Sequence, residues 1–84
     1  AGTVARRVAG ALIRLAAKFG DPAPEGLLLQ VPLTRADIAG MTGSTTESVS
    51  RAMSAMRRDG IIDTGRKWTA ITDMPALRDI ADGG

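Results

Sequence analysis

The 84 residues suffice for one small domain with a modest core, and a formal charge of +2 with a pI near 9.9 permits an anionic partner without announcing one. With no cysteine, histidine or tyrosine, the chain lacks disulfide, zinc-finger, thiol and imidazole chemistry, has no plausible nucleophile–base pair, and suits a reducing cytoplasm. No apolar run approaches the ~20 residues of a membrane span, so no membrane partner is expected.

The first helix is expected to start at the cap residue Thr3 and to run to about Phe19. Val4, Val8, Leu12, Leu15 and Phe19 recur at three- and four-residue steps as one apolar stripe, with Arg7, Arg14 and Lys18 on the far side. Gly20 ends it. The stretch from Asp21 to Gly26, with two prolines, reads as a loop, and Leu27 to Val31 reads as a short strand. Thr34 then caps a short second helix, with Asp37 as a capping box and Leu33 and Ile38 at the staple positions. Gly43 supplies the reversal after Met41 and Thr42.

Ser44 is the expected cap of a third helix, with Glu47 completing a Ser-Thr-Thr-Glu box. That helix runs to about Asp59, turning Val49, Ala52, Met53 and Met56 inward. Ile61 to Asp63, a Thr64-Gly65 turn, and Lys67 to Ile71 read as a β-hairpin, with Trp68 in the core. Asp73 caps a last short helix that packs through Leu77 and Ile80, and the four methionines read as core filler. The succession predicts a mainly α fold with a small antiparallel β-sheet. It is a winged helix-turn-helix: a three-helix core, a hairpin wing and a short C-terminal helix. The single domain spans residues 1–84, with the helix-turn-helix at 34–59 and the wing at 61–71.

Thr46, Glu47, Ser50 and Arg51 share one face of the third helix. The planar fork of Arg51 can donate twice to guanine O6 and N7, and Glu47 can accept from cytosine N4. Thr46 and Ser50 are short enough to let the backbone approach the bases, and the Thr46 methyl can meet a thymine methyl. Arg35, Thr45 and Ser48 near the helix entrance, with Arg66 and Lys67 on the wing, are the expected phosphate contacts. The bland alternative is an ordinary surface ion pair between Glu47 and Arg51 beside the capping box, with Glu47 folded back onto its own helix. The competing function is a winged helix serving protein contact, with the third-helix face docked on a partner, and it calls for a more apolar exposed face.

The pattern Leu33-Thr34-Arg35-x-Asp37-Ile38-Ala39-x-x-x-Gly43-x-x-x-Glu47-x-Val49-Ser50-Arg51 closely resembles the helix-turn-helix of the Crp/Fnr family of bacterial transcription regulators. The resemblance extends to Val4-x-x-Arg7-Val8-Ala9 with Leu12, to Ile61-Ile62 and Gly65-Arg66-Lys67, and to Ile71-x-Asp73-x-x-Ala76-Leu77, nearly the whole chain. It implies sequence-specific binding of double-stranded DNA, with the third helix in the major groove and Glu47 and Arg51 reading bases. The Glu47-Ser48-Val49-Ser50-Arg51 form is more like the Fnr side, with TTGAT-like half-sites, than the Crp side, with GTGA-like ones. Thr46 departs from both sides of the family.

The resemblance further implies a homodimeric parent on a palindromic operator, and an effector sensed by a preceding domain, with no cofactor in this segment. It also points to RNA polymerase as a possible partner of the loop at residues 20–26. The chain begins Ala1-Gly2 without methionine and is read as a fragment, itself mainly monomeric.

Overall fold

Each of the four helices begins where a hydroxyl or carboxylate accepts from one of the first orphan backbone amides. The computed structural model describes residues 2–83. Helix α1 (Val4–Phe19) opens on Thr3, whose side chain accepts from the Arg6 amide. Helix α2 (Arg35–Thr42) opens on a reciprocal box. The Thr34 hydroxyl accepts from the Asp37 amide at 3.0 Å, and Asp37 Oδ2 accepts from the Thr34 amide at 2.9 Å. The Thr34 backbone amide first, and the Thr34 hydroxyl second, hydrogen-bond the Asp37 carboxylate and hold it below its ordinary value. The final helix, α4 (Met74–Ala81), opens on Asp73, which accepts from the Ala76 amide.

Helix α3 (Thr46–Arg58) departs from expectation by one residue. Its cap is Thr45, which accepts from the Ser48 amide at 3.1 Å, and not Ser44. Glu47 is therefore not the box partner at N3, and its carboxylate is left to pair elsewhere. Ser44 is diverted because its hydroxyl accepts from Arg7 of α1 at 3.1 Å. At its far end α3 closes in a Schellman motif. Gly60, at φ 74°, donates to the Arg57 carbonyl, and Ile61 donates to that of Met56.

Four short strands form one antiparallel sheet in the order β1-β2-β4-β3. Strand β1 (Asp21–Ala23) lies within the segment read as a loop. Pro22 is tolerated there because β1 pairs only with β2 (Gly26–Leu29) and sits on the sheet edge. The strand expected to reach Val31 therefore stops at Leu29. Strand β2 also pairs with β4 (Trp68–Ile71), and β4 with β3 (Ile62–Gly65). Gly65 faces Trp68, so the hairpin turn is Arg66-Lys67 and not Thr64-Gly65.

The core gathers Val8, Leu12, Leu29, Ile38, Val49, Met53, Ile62, Ile71 and Leu77, each nearly sealed from solvent. Helix α1 lies against the other three helices and contributes the small residues Ala9, Ala11 and Ala16 to the buried set. The expected stripe fails at its end: Phe19 is 50% exposed and Leu15 only half-buried, while Ala16 takes the core position. With 16 residues, roughly 24 Å, α1 outruns the 8 residues, roughly 12 Å, of α2, so its last turn is left partly uncovered. Met41 is 46% exposed at the end of α2 and is not core filler. Trp68 is half-buried beside Gly65 and not in the core. A Cβ at Gly65 would meet the indole at 2.2 Å, so only glycine lets the ring lie across the hairpin end.

Candidate nucleic-acid interface

Gly43 turns α2 into α3 at φ 64°, a left-handed conformation that costs glycine nothing. Its amide and that of Ser44 both donate to the Ala39 carbonyl. One side chain from outside the motif completes the turn. The Arg7 guanidinium donates to the Thr42 carbonyl at 2.9 Å, to Ser44 Oγ at 3.1 Å, and to the Gly2 carbonyl. Arg7 thus joins the start of α1, the last residue of α2 and the residue before the α3 cap. Sequence reasoning placed Arg7 on the solvent side of α1, yet it is half-buried and structural. The available signal was its place in the family pattern, which came without a role.

Thr46, Glu47, Ser50 and Arg51 are gathered on the outer face of α3, Ser50 half-buried and the other three exposed. Arg51 Nη1 lies 3.5 Å from Glu47 Oε2, and Arg51 Nη2 donates to Ser48 Oγ at 3.3 Å. The two charged side chains are 71% and 88% exposed, so the pair is weak, of order 0–1 kcal/mol, and little is lost when either turns to another partner. The inward face of the same helix carries Val49, Met53 and Met56. That division leaves the polar face free while the helix itself is anchored.

The other candidate residues divide. Thr45 and Ser48 sit at the first turn of α3, with the Thr45 hydroxyl donating to Ser48 Oγ at 2.9 Å. Both are within reach of the helix N-terminus, where backbone amides and the dipole favour an anion. Arg35 is the half-buried first residue of α2. Arg66 and Lys67 are exposed at the tip of the β3–β4 hairpin, with Lys67 at φ 64°.

The hairpin is fixed to the far end of α3. The Thr72 hydroxyl donates to the Gly60 carbonyl at 2.8 Å, and Arg57 pairs with Asp63 of β3 at 3.3 Å. Both Arg57 and Asp63 are more than half exposed, so this pair adds little to the Thr72 bond in joining wing to helix. Among the described residues no cluster of three or more His, Cys, Asp or Glu side chains could hold a metal ion. No helix among the described residues is long and apolar enough to cross a membrane.

The comparisons agree with this architecture. The family model described as a Crp-like helix-turn-helix domain matches residues 6–80. The transcriptional activator protein FnrL of Cereibacter sphaeroides is 40% identical over 63 residues, which cover 69% of this chain and 25% of that protein. The HTH-type transcriptional regulator Cmr of Mycobacterium tuberculosis is 31% identical over 85 residues, covering 90% of this chain and 35% of that protein. A crystal structure of a CRP-family transcriptional regulator from Thermus thermophilus superposes with a TM-score of 0.87 at 30% identity, covering 98% of this chain and 42% of that one. The chain spans about a quarter to a third of the curated relatives it matches. It belongs to the Crp-like helix-turn-helix family, the DNA-binding domains of Crp/Fnr transcription regulators, which are not enzymes.

Proposed function

We propose that this domain, with its helix-turn-helix over 34–59 and its wing over 61–71, reads double-stranded DNA sequence by placing α3 in the major groove. Thr46, Glu47, Ser50 and Arg51 make the base contacts. Arg51 donates to a guanine and Glu47 accepts from a cytosine, while Thr46 and Ser50 admit the backbone close to the bases. Arg35, Thr45, Ser48, Arg66 and Lys67 hold phosphates on either side. The carrying observation is the outer face of α3, polar and charged and bound only by weak exposed contacts, on a helix whose other face is sealed into the core. A protein-docking face would present apolar anchors there.

The Glu47-to-Arg51 pattern favours TTGAT-like half-sites over GTGA-like ones. In a full regulator two copies bind a palindromic operator about one helical turn apart, in the cytoplasm, under control of an effector sensed by a separate domain. The edge hairpin of β1 and β2, in the loop region 20–26, is a surface on which such a regulator touches RNA polymerase. A single copy binds its half-site weakly.

The test is fluorescence anisotropy with short duplexes carrying TTGAT, GTGA or a scrambled half-site at two salt concentrations. The expected outcome is a preference for TTGAT that Arg51→Ala abolishes, at a cost of about 1–3 kcal/mol. An unchanged preference in Arg51→Ala would remove α3's outer face from the reading role.

A further inference from the structure

Among the described residues the two exposed large hydrophobics, Phe19 and Met41, come from different helices and line one notch. Its volume is about 490 Å³, and Arg14, Leu15, Ala17 and Lys18 complete the lining. The last two turns of α1 form one wall and the end of α2 the other. Single exposed apolar residues are ordinary; two that converge on a shared concavity mark a surface that gains by being covered. Arg14 and Met41 also line a second, adjacent cavity of about 340 Å³, with Arg6, Gly10 and Thr42 in its wall. From Arg6 to Phe19 the two cavities together lie along roughly 20 Å of α1.

The charge around the notch is one-sided. Arg14 and Lys18 are exposed on its rim, and neither makes an ion pair among the described residues, whereas Arg51 and Arg57 do. Gly10, in mid-helix, leaves the second cavity open where a side chain would occupy it. None of the lining residues belongs to α3 or to the β3–β4 hairpin. Occupation of the groove therefore does not compete residue for residue with the face proposed to read DNA.

We propose that this groove is a docking site for an acidic amphipathic helix of about three to four turns. Apolar side chains at i, i+3, i+4 and i+7 enter between Phe19 and Met41, and flanking carboxylates meet Arg14 and Lys18. The apolar notch supplies the affinity. The two unpaired cations select an acidic partner over a basic one and set its direction along α1.

The test uses the present chain, ¹⁵N-labelled, and two synthetic helices with identical leucine anchors, one flanked by glutamates and the other by lysines. The glutamate peptide is expected to shift amides of Arg14 to Phe19 and of Met41. Met41→Glu should weaken it about tenfold or more. Met41 is half-exposed, so this variant keeps the fold, which an unchanged melting temperature verifies.

The double variant Arg14→Glu, Lys18→Glu is expected to reverse the preference toward the lysine peptide. Equal binding of both peptides, no binding of either, or shifts confined to α3 would overturn the proposal. So would concentration-dependent self-association that Met41→Glu dissolves, since a second copy would then be the occupant. Arg51→Ala serves as the control: it disables the proposed base reading and leaves peptide binding intact, so failure of one reading is distinguishable from failure of the other.

Discussion

Arg7 shows how one side chain can set the angle of a motif it does not belong to. Its guanidinium reaches the Thr42 carbonyl and the Ser44 hydroxyl from α1, thirty-five and thirty-seven positions away in sequence. By engaging Ser44 it moves the α3 cap to Thr45, which frees Glu47 to lie beside Arg51. Arg7→Met removes every donor while keeping much of the apolar stem. It should cost about 2 kcal/mol in urea denaturation, because charge-assisted bonds are lost and a part-buried carbonyl loses its strongest donor. Arg7→Lys should recover only part of this, since a single ammonium cannot reproduce a fork that spans two acceptors. Equal stability of all three proteins would mean that the turn is held by its own backbone bonds. None of this was legible in the sequence: a helical wheel counts turns of one helix and cannot see a carbonyl on another.

Elements divided according to how local their causes are. Thr3, Thr34 and Asp73 cap the helices they were expected to cap, because each partner amide lies three residues away. The start of α3 was misplaced by one residue because Ser44 and Thr45 are both competent caps, and only the tertiary bond from Arg7 decides between them. The edge strand β1 was missed for the same reason. Its existence depends on β2 lying alongside, and two prolines argue against a strand when read without that partner. The wing was legible as a hairpin, yet its turn was misplaced because Gly65 was assigned to bend the chain. Its lack of a side chain instead makes room for Trp68, and Lys67 takes the left-handed position.

The capping box of α2 also carries a pH signature. Folding lowers the Asp37 carboxyl below its ordinary value, so its contribution is fully present above that ordinary value and is lost as pH falls through the lower folded one. Asp37→Asn should therefore be less stable than the parent at neutral pH. The gap should close in the acid limb, below about pH 4, as the parent's carboxylate takes up its proton. A gap that stays constant from neutral to acid pH, measured by thermal melts, would mean that the ionised box contributes nothing.

At the scale of the whole molecule, a net charge of +2 is too small to hold DNA by general attraction, so binding must depend on where cations stand. The fold spaces them deliberately. Arg35 opens α2, Arg66 and Lys67 tip the wing, and the wing is tied to the end of α3 chiefly by Thr72, with the Arg57–Asp63 pair beside it. Such a frame would set the distance between the proposed reading helix and the proposed phosphate contacts, and it makes the salt dependence countable. If Arg35, Arg66 and Lys67 each neutralise one phosphate, log K against log salt should fall with a slope of about −2.7 for one copy and roughly double that for a linked pair.

Lys67 allows the count to be tested without disturbing the fold. At φ 64° it occupies a conformation that glycine adopts freely, so Lys67→Gly relieves backbone strain while deleting one cation. The variant should melt no lower than the parent, bind every sequence more weakly by a similar factor, and lose about one unit of salt slope. Should the slope stay unchanged while affinity falls, Lys67 would be shaping the turn and not holding a phosphate. Should base preference change as well, the wing would be setting the depth of α3 in the groove, and the frame itself would be part of the reading.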